Sequence, residues 1–462
     1  MASKTSQHNL TKHWQELDAL HHIHPFTETK ALNKKGVRVI VRADGIYLWD
    51  SEGNRLIDGM SGLWCVNVGY GRQELADAAS EAMKQLPYYN NFFQTTNPYA
   101  TELAAKLAHL LPAGMSRIFF ANSGSEANDT ALKFIRYYWN LQGKPQKKIH
   151  ISREYAYHGV TMAAASLSGL TPMHPQFDLP LSGFEKVPTV YWYGFGGDKD
   201  PNTYGLEVAK QLEEKILALG PERVASFSAE PVHGAGGLMF PPDSYWPEVQ
   251  RICKKYDVLL HVDEVITGFG RTGAWFGSQT FGISPDIMSL AKGISSGYQP
   301  ISAVALGTRV GDAFANADEE LVHGFTWSGH PVACAVSLKN LEIIEREGLV
   351  ERVGSDIGPY FQTAVRSLAD HPLVGEVRGT GLLAAIELVQ DKSSRKFFNK
   401  DLDVGTKCRN HCFSNGLVMR AIRDTMVLAP PFVVKREEVD EIVRLARRCF
   451  DLTASELAGA KA

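Results

Sequence analysis

The sequence predicts an α/β protein: a large domain with a mostly parallel sheet between helices, plus a smaller α+β domain assembled from both ends of the chain. Three observations predict it. Between Arg117 and about Leu306, short apolar runs alternate with longer stretches of helical period, the pattern of βαβ units. Ahead of this region the residues alternate as antiparallel strands do, and after His330-Pro331 the pattern changes to long helices followed by short strands. A chain of 462 residues has room for about three folding units, or two if one is large.

From Val37 to Asp50, Val-Arg-Val-Ile-Val-Arg and Gly-Ile-Tyr-Leu-Trp-Asp read as two strands joined by a turn at Ala43-Asp44-Gly45. Leu75, Ala79, Ala82, Met83 and Leu86 mark a helix that stops before Pro87. The candidate strands of the central sheet are residues 118–121, 149–152, 224–229, 258–262, 287–290 and 302–306. Downstream, helices are expected over 332–346 and 349–369, then strands near 373–378, 381–388, 417–420 and 425–428. A closing amphipathic helix is expected over 437–452, ahead of an alanine-rich, fraying tail. The resulting division is 1–75 and 336–462 for the two parts of the small domain and 76–335 for the large one. The cleft between the domains is the expected site.

Bulk properties exclude several classes of function. A net charge of -3 gives no electrostatic case for nucleic acid or an anionic membrane as partner. No run of about 20 apolar residues occurs, and the first twenty residues lack the apolar core of a signal peptide. With no transit-peptide arginines either, the expected compartment is the cytoplasm. The six cysteines show neither disulfide nor zinc spacing and read as reduced thiols. Cys408 and Cys412, with His411 beside them, could face a metal, but a helical face with two small apolar residues explains them better. No metal is assigned.

Lys292 is out of place unless it does chemistry. It follows the apolar run Ile287-Met288-Ser289-Leu290-Ala291, at the carboxyl end of a candidate strand, where ligands bind in open α/β sheets. Burying an unpaired ammonium is costly and favours loss of its proton, which a Schiff-base lysine requires. Ser123-Gly124-Ser125 lies between a strand and a helix whose apolar face is Ala127, Ala131, Leu132 and Ile135, so free backbone N–H groups and hydroxyls could cradle a phosphate. The same residues fit an ordinary serine-capped helix. Tyr157 follows the next strand and could turn its ring into the cleft, or simply pack. Asp263 ends the strand 258–262 and needs a cationic partner, either a structural arginine or a protonated ring nitrogen. A phosphate cradle, a stacking ring, a pyridinium partner and a Schiff-base lysine are together what pyridoxal 5′-phosphate (PLP) requires.

These residues stand in longer motifs. Ser123-Gly124-Ser125-Glu126-Ala127-Asn128, Tyr157-His158-Gly159 and Glu230-Pro231-Val232-His233-Gly234-Ala235-Gly236-Gly237 are followed by Asp263-Glu264-Val265-Ile266-Thr267-Gly268-Phe269-Gly270-Arg271-Thr272-Gly273 and then Lys292-Gly293. Over nearly its whole length the chain resembles the class III aminotransferases of PLP fold type I. Gly62-Leu63-Trp64-Cys65, Leu86-Pro87-Tyr88-Tyr89-Asn90, Phe92-Phe93-Gln94-Thr95, residues 323–331 and Gly416-Leu417-Val418-Met419-Arg420-Ala421 are similar to the amine:pyruvate, or ω-transaminase, branch, which includes the putrescine (polyamine):pyruvate enzymes.

The resemblance implies PLP held covalently by Lys292, which then shuttles the proton, with Asp263 keeping the ring nitrogen protonated. It implies Tyr157 and Val265 on the two ring faces, Ser123, Gly124 and Ser125 on the phosphate, and Thr326 joining them from a second subunit. His158, Glu230 and Phe325 complete the cofactor-binding set. For substrate it implies Arg420 as a mobile carboxylate clamp, with Phe26, Trp64, Phe92, Tyr157 and Ala235 as pocket walls. Read without the family, Arg420 is a surface arginine and the aromatics are core. Asn97, Asn122 and Thr267 depart from residues frequent among near relatives, and Ile266 replaces the glutamine usual in 2-oxoglutarate users, which favours pyruvate. The implied activity moves an amino group from a primary amine to pyruvate in a homodimer with a shared site, a tetramer being left open. Decarboxylation, intramolecular amino transfer, 2-oxoglutarate use and a noncatalytic PLP scaffold are the alternatives.

Overall fold

The computed structural model describes residues 4–459, and three sheets organise them. The central sheet has seven strands, in the order Met115–Ala121, Ser302–Gly307, Ile287–Leu290, Leu259–Asp263, Val224–Ala229, Ile149–Arg153, Phe184–Val187. From Ile287–Leu290 to Phe184–Val187 every pairing is parallel, whereas Ser302–Gly307 runs antiparallel to both its neighbours. The interior strands are buried along their whole length, which is why they read as continuous apolar runs in the sequence. The edge strand Phe184–Val187 escaped that reading because Glu185 and Lys186 interrupt it, and half-buried charged positions are what an edge strand carries.

The helix Gly124–Leu141 packs Ala127, Ala131, Phe134 and Ile135 on Leu259, Ile287 and Val304 of this sheet. Its first turn is thereby fixed over the carboxyl ends of the central strands. On the adjacent pair, Asp263 lies opposite Ser289 in register, three residues before Lys292. The site geometry is thus set by strand pairing.

Two four-stranded sheets come from the chain ends. Ile40–Asp44, Tyr47–Asp50 and Arg55–Asp58 form a meander to which Leu417–Val418 adds in parallel. Val374–Thr380, Leu383–Leu388, Thr425–Leu428 and Arg420–Ile422 make an antiparallel sheet. Residues from both ends of the chain, among them Ile46, Ile57, Phe361, Leu417 and Phe450, share one apolar core.

Three expectations are corrected. The strand over 417–420 is two strands in different sheets, because the chain changes sheet at Met419 and Arg420 opens the second. The helix over 349–369 is broken into Leu349–Ser355 and Ile357–Arg366 followed by a 3₁₀ turn, with Asp356 non-helical at φ -121° and ψ -82°. Pro359 has no N–H to continue the ladder there, and a Cβ at Gly358 would lie 2.0 Å from the Val353 carbonyl oxygen in any case. The last helix runs Arg436–Gly459, beyond the expected end at 452, because Thr453 is still buried against the core. The final three residues of the tail expected to fray lie outside the described residues. A helix at Lys4–His21 precedes the first strands.

Arg271 ties the site loop to the chain ends. It is fully buried over the Phe432 ring (4.6 Å), donating to the Pro430 carbonyl at 2.5 Å, Asn67 Oδ1 at 2.6 Å and Ser61 Oγ at 3.2 Å. Burial depresses its guanidinium to about 9, the charges of Cys65 and Asp58 opposing the shift. Replacing Arg271 by Ala leaves those buried acceptors unpaired and opens a cavity, and we expect a loss of at least about 3 kcal/mol. A lowered midpoint in chemical denaturation of the purified variant checks it.

Candidate active site

A cavity of about 350 Å³ opens at the carboxyl ends of the central strands. Its lining includes Ser123, Gly124, Ser125, Tyr157, His158, Glu230, Asp263, Val265 and Lys292, so nine of the residues expected at the cofactor meet in one place. It also includes Asn128, Ser295, Gln299 and Pro300, which sequence reasoning did not select. Asn128 left a readable signal. It lies four residues after Gly124, one turn deeper on the same helix face.

Lys292 stands at the end of Ile287–Leu290, where the chain turns into a 3₁₀ segment. Its φ of +48° is a left-handed conformation that costs about 1–2 kcal/mol for a residue with a Cβ. Burial lowers the pKa of its amine, while Asp263, Cys65 and Glu230 pull it back up and Arg420 pushes it further down. Burial thus shifts the balance toward the neutral, nucleophilic amine.

Asp263 is held from three sides. His158 Nδ1 and Asn128 Nδ2 each lie 2.8 Å from Oδ2, and the Val265 N–H donates to Oδ1 at 3.0 Å. Burial works to raise its pKa, but hydrogen bonding to His158, the charge of that ring and the Asn128 amide outweigh it, and the carboxyl is held below its ordinary value. It remains an anion in a buried place. Asn128 is fixed in turn by donating to the His158 carbonyl at 2.5 Å.

The helix at Gly124 offers an anion site. Ser123 caps it, accepting from the Glu126 N–H at 3.2 Å, so the cap explanation holds, and Ser125 Oγ accepts from the Val160 N–H at 3.0 Å. Both hydroxyl protons stay available to a ligand, as do the Gly124 and Ser125 N–H groups of the first turn. Close packing requires the two glycines here. A Cβ on Gly124 would press on Val265 Cγ1 at 3.2 Å, and one on Gly159, at φ +130°, would stand 2.5 Å from Ser125 Oγ. The Glu126 carboxylate turns away from the opening, accepting from the Asn122 backbone and side-chain amides.

Glu230 accepts from the N–H groups of Tyr157 at 3.2 Å and Gly234 at 2.7 Å, and burial raises its pKa. Tyr157 packs beside Trp64, Ala235 and Ile266. Arg420 lies over the Trp64 ring at 4.8 Å, with burial as the main influence lowering its pKa, and its charge lowers that of Tyr157 against the stronger effect of burial. Among the described residues Arg420 has no ion pair or hydrogen-bond partner.

The other expected residues do not line this cavity. Trp64 and Ala235 stand in the apolar cluster next to Tyr157, and Arg420 lines a separate groove with Gly62, Leu63 and Met419. Phe26 is 75% exposed and Phe92 37% exposed, and neither reaches this cavity within the chain. Phe325 packs on Phe119 and His323, and the exposed Thr326 accepts from the Tyr88 hydroxyl through its carbonyl at 2.9 Å. Asn97 caps the helix Pro98–Leu110, and Thr267 donates to Glu264 at 2.5 Å, so these two departures serve local structure.

A buried amine, a buried carboxylate that would favour a protonated ring nitrogen, an aromatic neighbour and an anion-binding helix start fit PLP in size and chemistry. Fold and site together define a PLP-dependent transferase. The class-III aminotransferase family matches residues 30–450, and the chain belongs to that family, whose members use PLP. It is 52% identical over 445 residues to the putrescine–pyruvate aminotransferase of Pseudomonas aeruginosa, covering 96% of this chain and 97% of that one. It is 43% identical to the diaminobutyrate–2-oxoglutarate transaminase of Halomonas elongata, covering 91% of each. The ω-transaminase of Pseudomonas jessenii in complex with PMP superimposes with a TM-score of 0.94 at 44% identity, covering 96% of this chain and 99% of that one.

Lys292 yields a prediction about pH. The folded state of the cofactor-free protein disfavours the ammonium form, so below the ordinary lysine value of 10.5 the unfolded chain binds more protons and stability rises with pH. Cofactor-free Lys292→Met lacks this contribution. We expect the variant to be the more stable at neutral pH and its advantage to shrink as pH rises, in paired thermal melts.

Proposed function

We propose that this protein is a ping-pong aminotransferase that takes the amino group of a diamine, polyamine or ω-amino acid and gives it to pyruvate, forming alanine and an aldehyde or ketone. The observation that carries the acceptor side is Arg420, a half-buried guanidinium stacked on Trp64 with no anion of its own among the described residues. A carboxylate entering beside Lys292 would find a bidentate partner there. Pyruvate needs one such partner. The second carboxylate of 2-oxoglutarate would need another, and the adjoining cavity carries the carboxylates Glu230 and Asp263. The likeness to the putrescine–pyruvate enzyme supports a diamine donor, and an acidic cavity suits a cationic amine.

When bound, PLP supplies an electron sink for the negative charge that develops at the substrate carbon. In our reading the Ser123 and Ser125 hydroxyls and the Gly124 N–H would bind its phosphate, and Tyr157 and Val265 would confine its ring. Asp263, stiffened by His158 and Asn128, would keep the ring nitrogen protonated. Lys292 would hold the cofactor covalently and, when freed by the substrate amine, its Nζ would take a proton from the substrate carbon or return one to it within each half-reaction. Glu230, held by two backbone amides, fixes the loop that presents Tyr157.

The same reading makes the working unit a homodimer. Thr326 and Phe325 lie outside the cavity of their own chain, and Tyr89, Phe93, Val322 and Trp327 form an exposed apolar surface around them. A second copy seated there would bring Thr326 to the phosphate and Phe26 and Phe92 to the pocket mouth. The six free thiols accord with a reducing cytoplasm, and no helix among the described residues is long and apolar enough to cross a membrane.

Two experiments test these readings. With putrescine as donor, alanine should form from pyruvate faster than glutamate forms from 2-oxoglutarate. Arg420→Leu should raise the pyruvate KM about 10- to 100-fold, the loss of a charge-assisted pair, and change the diamine KM much less. Equal effects on both would remove Arg420 from acceptor binding. Separately, Lys292→Ala and Thr326→Asp chains, each inactive alone, should recover activity when refolded together, because one of the two sites in a mixed dimer is intact. No recovery would leave each site within one chain.

A further inference from the structure

The end of the first helix builds a group of ligands that the aminotransferase reaction does not use. Asp18 lies in the last turn of Lys4–His21, His22 follows it by four residues, and the chain then folds back so that His24 reaches the same carboxylate. His24 Nε2 is 2.8 Å from Asp18 Oδ1 and 2.9 Å from Oδ2, and His22 Nδ1 is 3.1 Å from Oδ1. The two imidazole rings are 4.2 Å apart. Among the described residues this is the one group of three or more histidine, cysteine or carboxylate side chains whose ligand atoms all lie within 4.8 Å of one another.

We propose that Asp18, His22 and His24 bind one divalent transition-metal ion of the zinc, nickel or copper type. Two imidazole nitrogens with one carboxylate are the donor set such ions prefer, whereas magnesium and calcium prefer oxygen. Bonds of about 2.0–2.2 Å in a tetrahedron separate ligand atoms by about 3.4 Å, so the two nitrogen–carboxylate separations need open by only about half an ångström. Asp18 and His24 are largely sheltered, at 17% and 22% side-chain exposure, and His22 is 63% exposed, which leaves the fourth position to water. The contacts now present pass through imidazole N–H groups, so to bind an ion each neutral ring would move its proton to the other ring nitrogen, and a doubly protonated ring would release one.

Such an ion would also pin the turn into Pro25-Phe26. Phe26 is strained, at φ +50°, and exposed on its own chain. Fixing its approach would hold it ready for the neighbouring pocket mouth. This consequence rests on the shared-site reading above, but the ion site does not.

Calorimetric titration of zinc into holoenzyme freed of excess cofactor tests the site directly. We expect one equivalent per chain with a dissociation constant of about 1–10 µM at neutral pH. Magnesium should not compete. Asp18→Asn and His24→Ala should each weaken zinc by about 10-fold or more, and His21→Ala, at the adjacent exposed histidine, should leave it unchanged. Absence of a stoichiometric heat, or zinc bound as tightly by the Asp18→Asn/His24→Ala double variant, would overturn the proposal and leave these contacts as a helix C-terminal brace.

Discussion

The site depends on keeping one nearly buried carboxylate ionised at the floor of the cavity. Asp263 stands at the end of a buried parallel strand, where desolvation alone would protonate it. Three donors prevent that: an imidazole from the loop after one strand, an amide from the helix after another and the N–H two residues on. Each is itself held. Asn128 reaches the His158 carbonyl, and the His158 N–H reaches Ser168. The loops and helix around the cavity are therefore joined through a single anion, and breaking any one link loosens the others.

That anion also frames Lys292. Desolvation lowers the lysine pKa, and Asp263 and Glu230 limit the fall. The opposing influences are those that the proposed nucleophile and proton carrier would need. Backbone strain contributes too, because a left-handed residue persists only where its surroundings over-determine it. Here the strand Ile287–Leu290 on one side and the Asn340 side chain on the other, donating to the Gly293 and Ile294 carbonyls at 2.9 and 3.0 Å, fix the turn.

The parts legible in the sequence are those in which local pattern and tertiary placement coincide. Lys292, Asp263 and Ser123-Gly124-Ser125 each lie where an apolar strand stops, so strand order in a parallel sheet brings them together once the strands are recognised. Phe184–Val187 was missed because its charges break the apolar signal, and the change of sheet at Met419 because a change of partner leaves no periodicity. Phe26, Phe92, Phe325 and Thr326 had no signal in the residues alone. Phe26, Phe92 and Thr326 face outward on this chain and Phe325 packs at its surface on Phe119 and His323, so any role they have is written in a surface that periodicity cannot read, and only the family resemblance pointed to them.

The break at Met419 has a functional reading of its own. A strand continuing straight from Leu417 would have kept Arg420 in the first small sheet, beside Arg55–Asp58. Instead Arg420 begins a strand in the other sheet, pairing with Val427, and its guanidinium comes over Trp64 beside Tyr157. Trp64 is itself in a left-handed conformation, at φ +58°, and buried. Its ring offers the cation a face to stack on, an attraction of about 0.5–2 kcal/mol that an arriving carboxylate can exceed. A weak resting contact of this kind would suit the acceptor-binding role proposed for Arg420, leaving the guanidinium free to meet a carboxylate and free to move aside for a donor. An arginine locked in a salt bridge to a protein carboxylate would be free for neither.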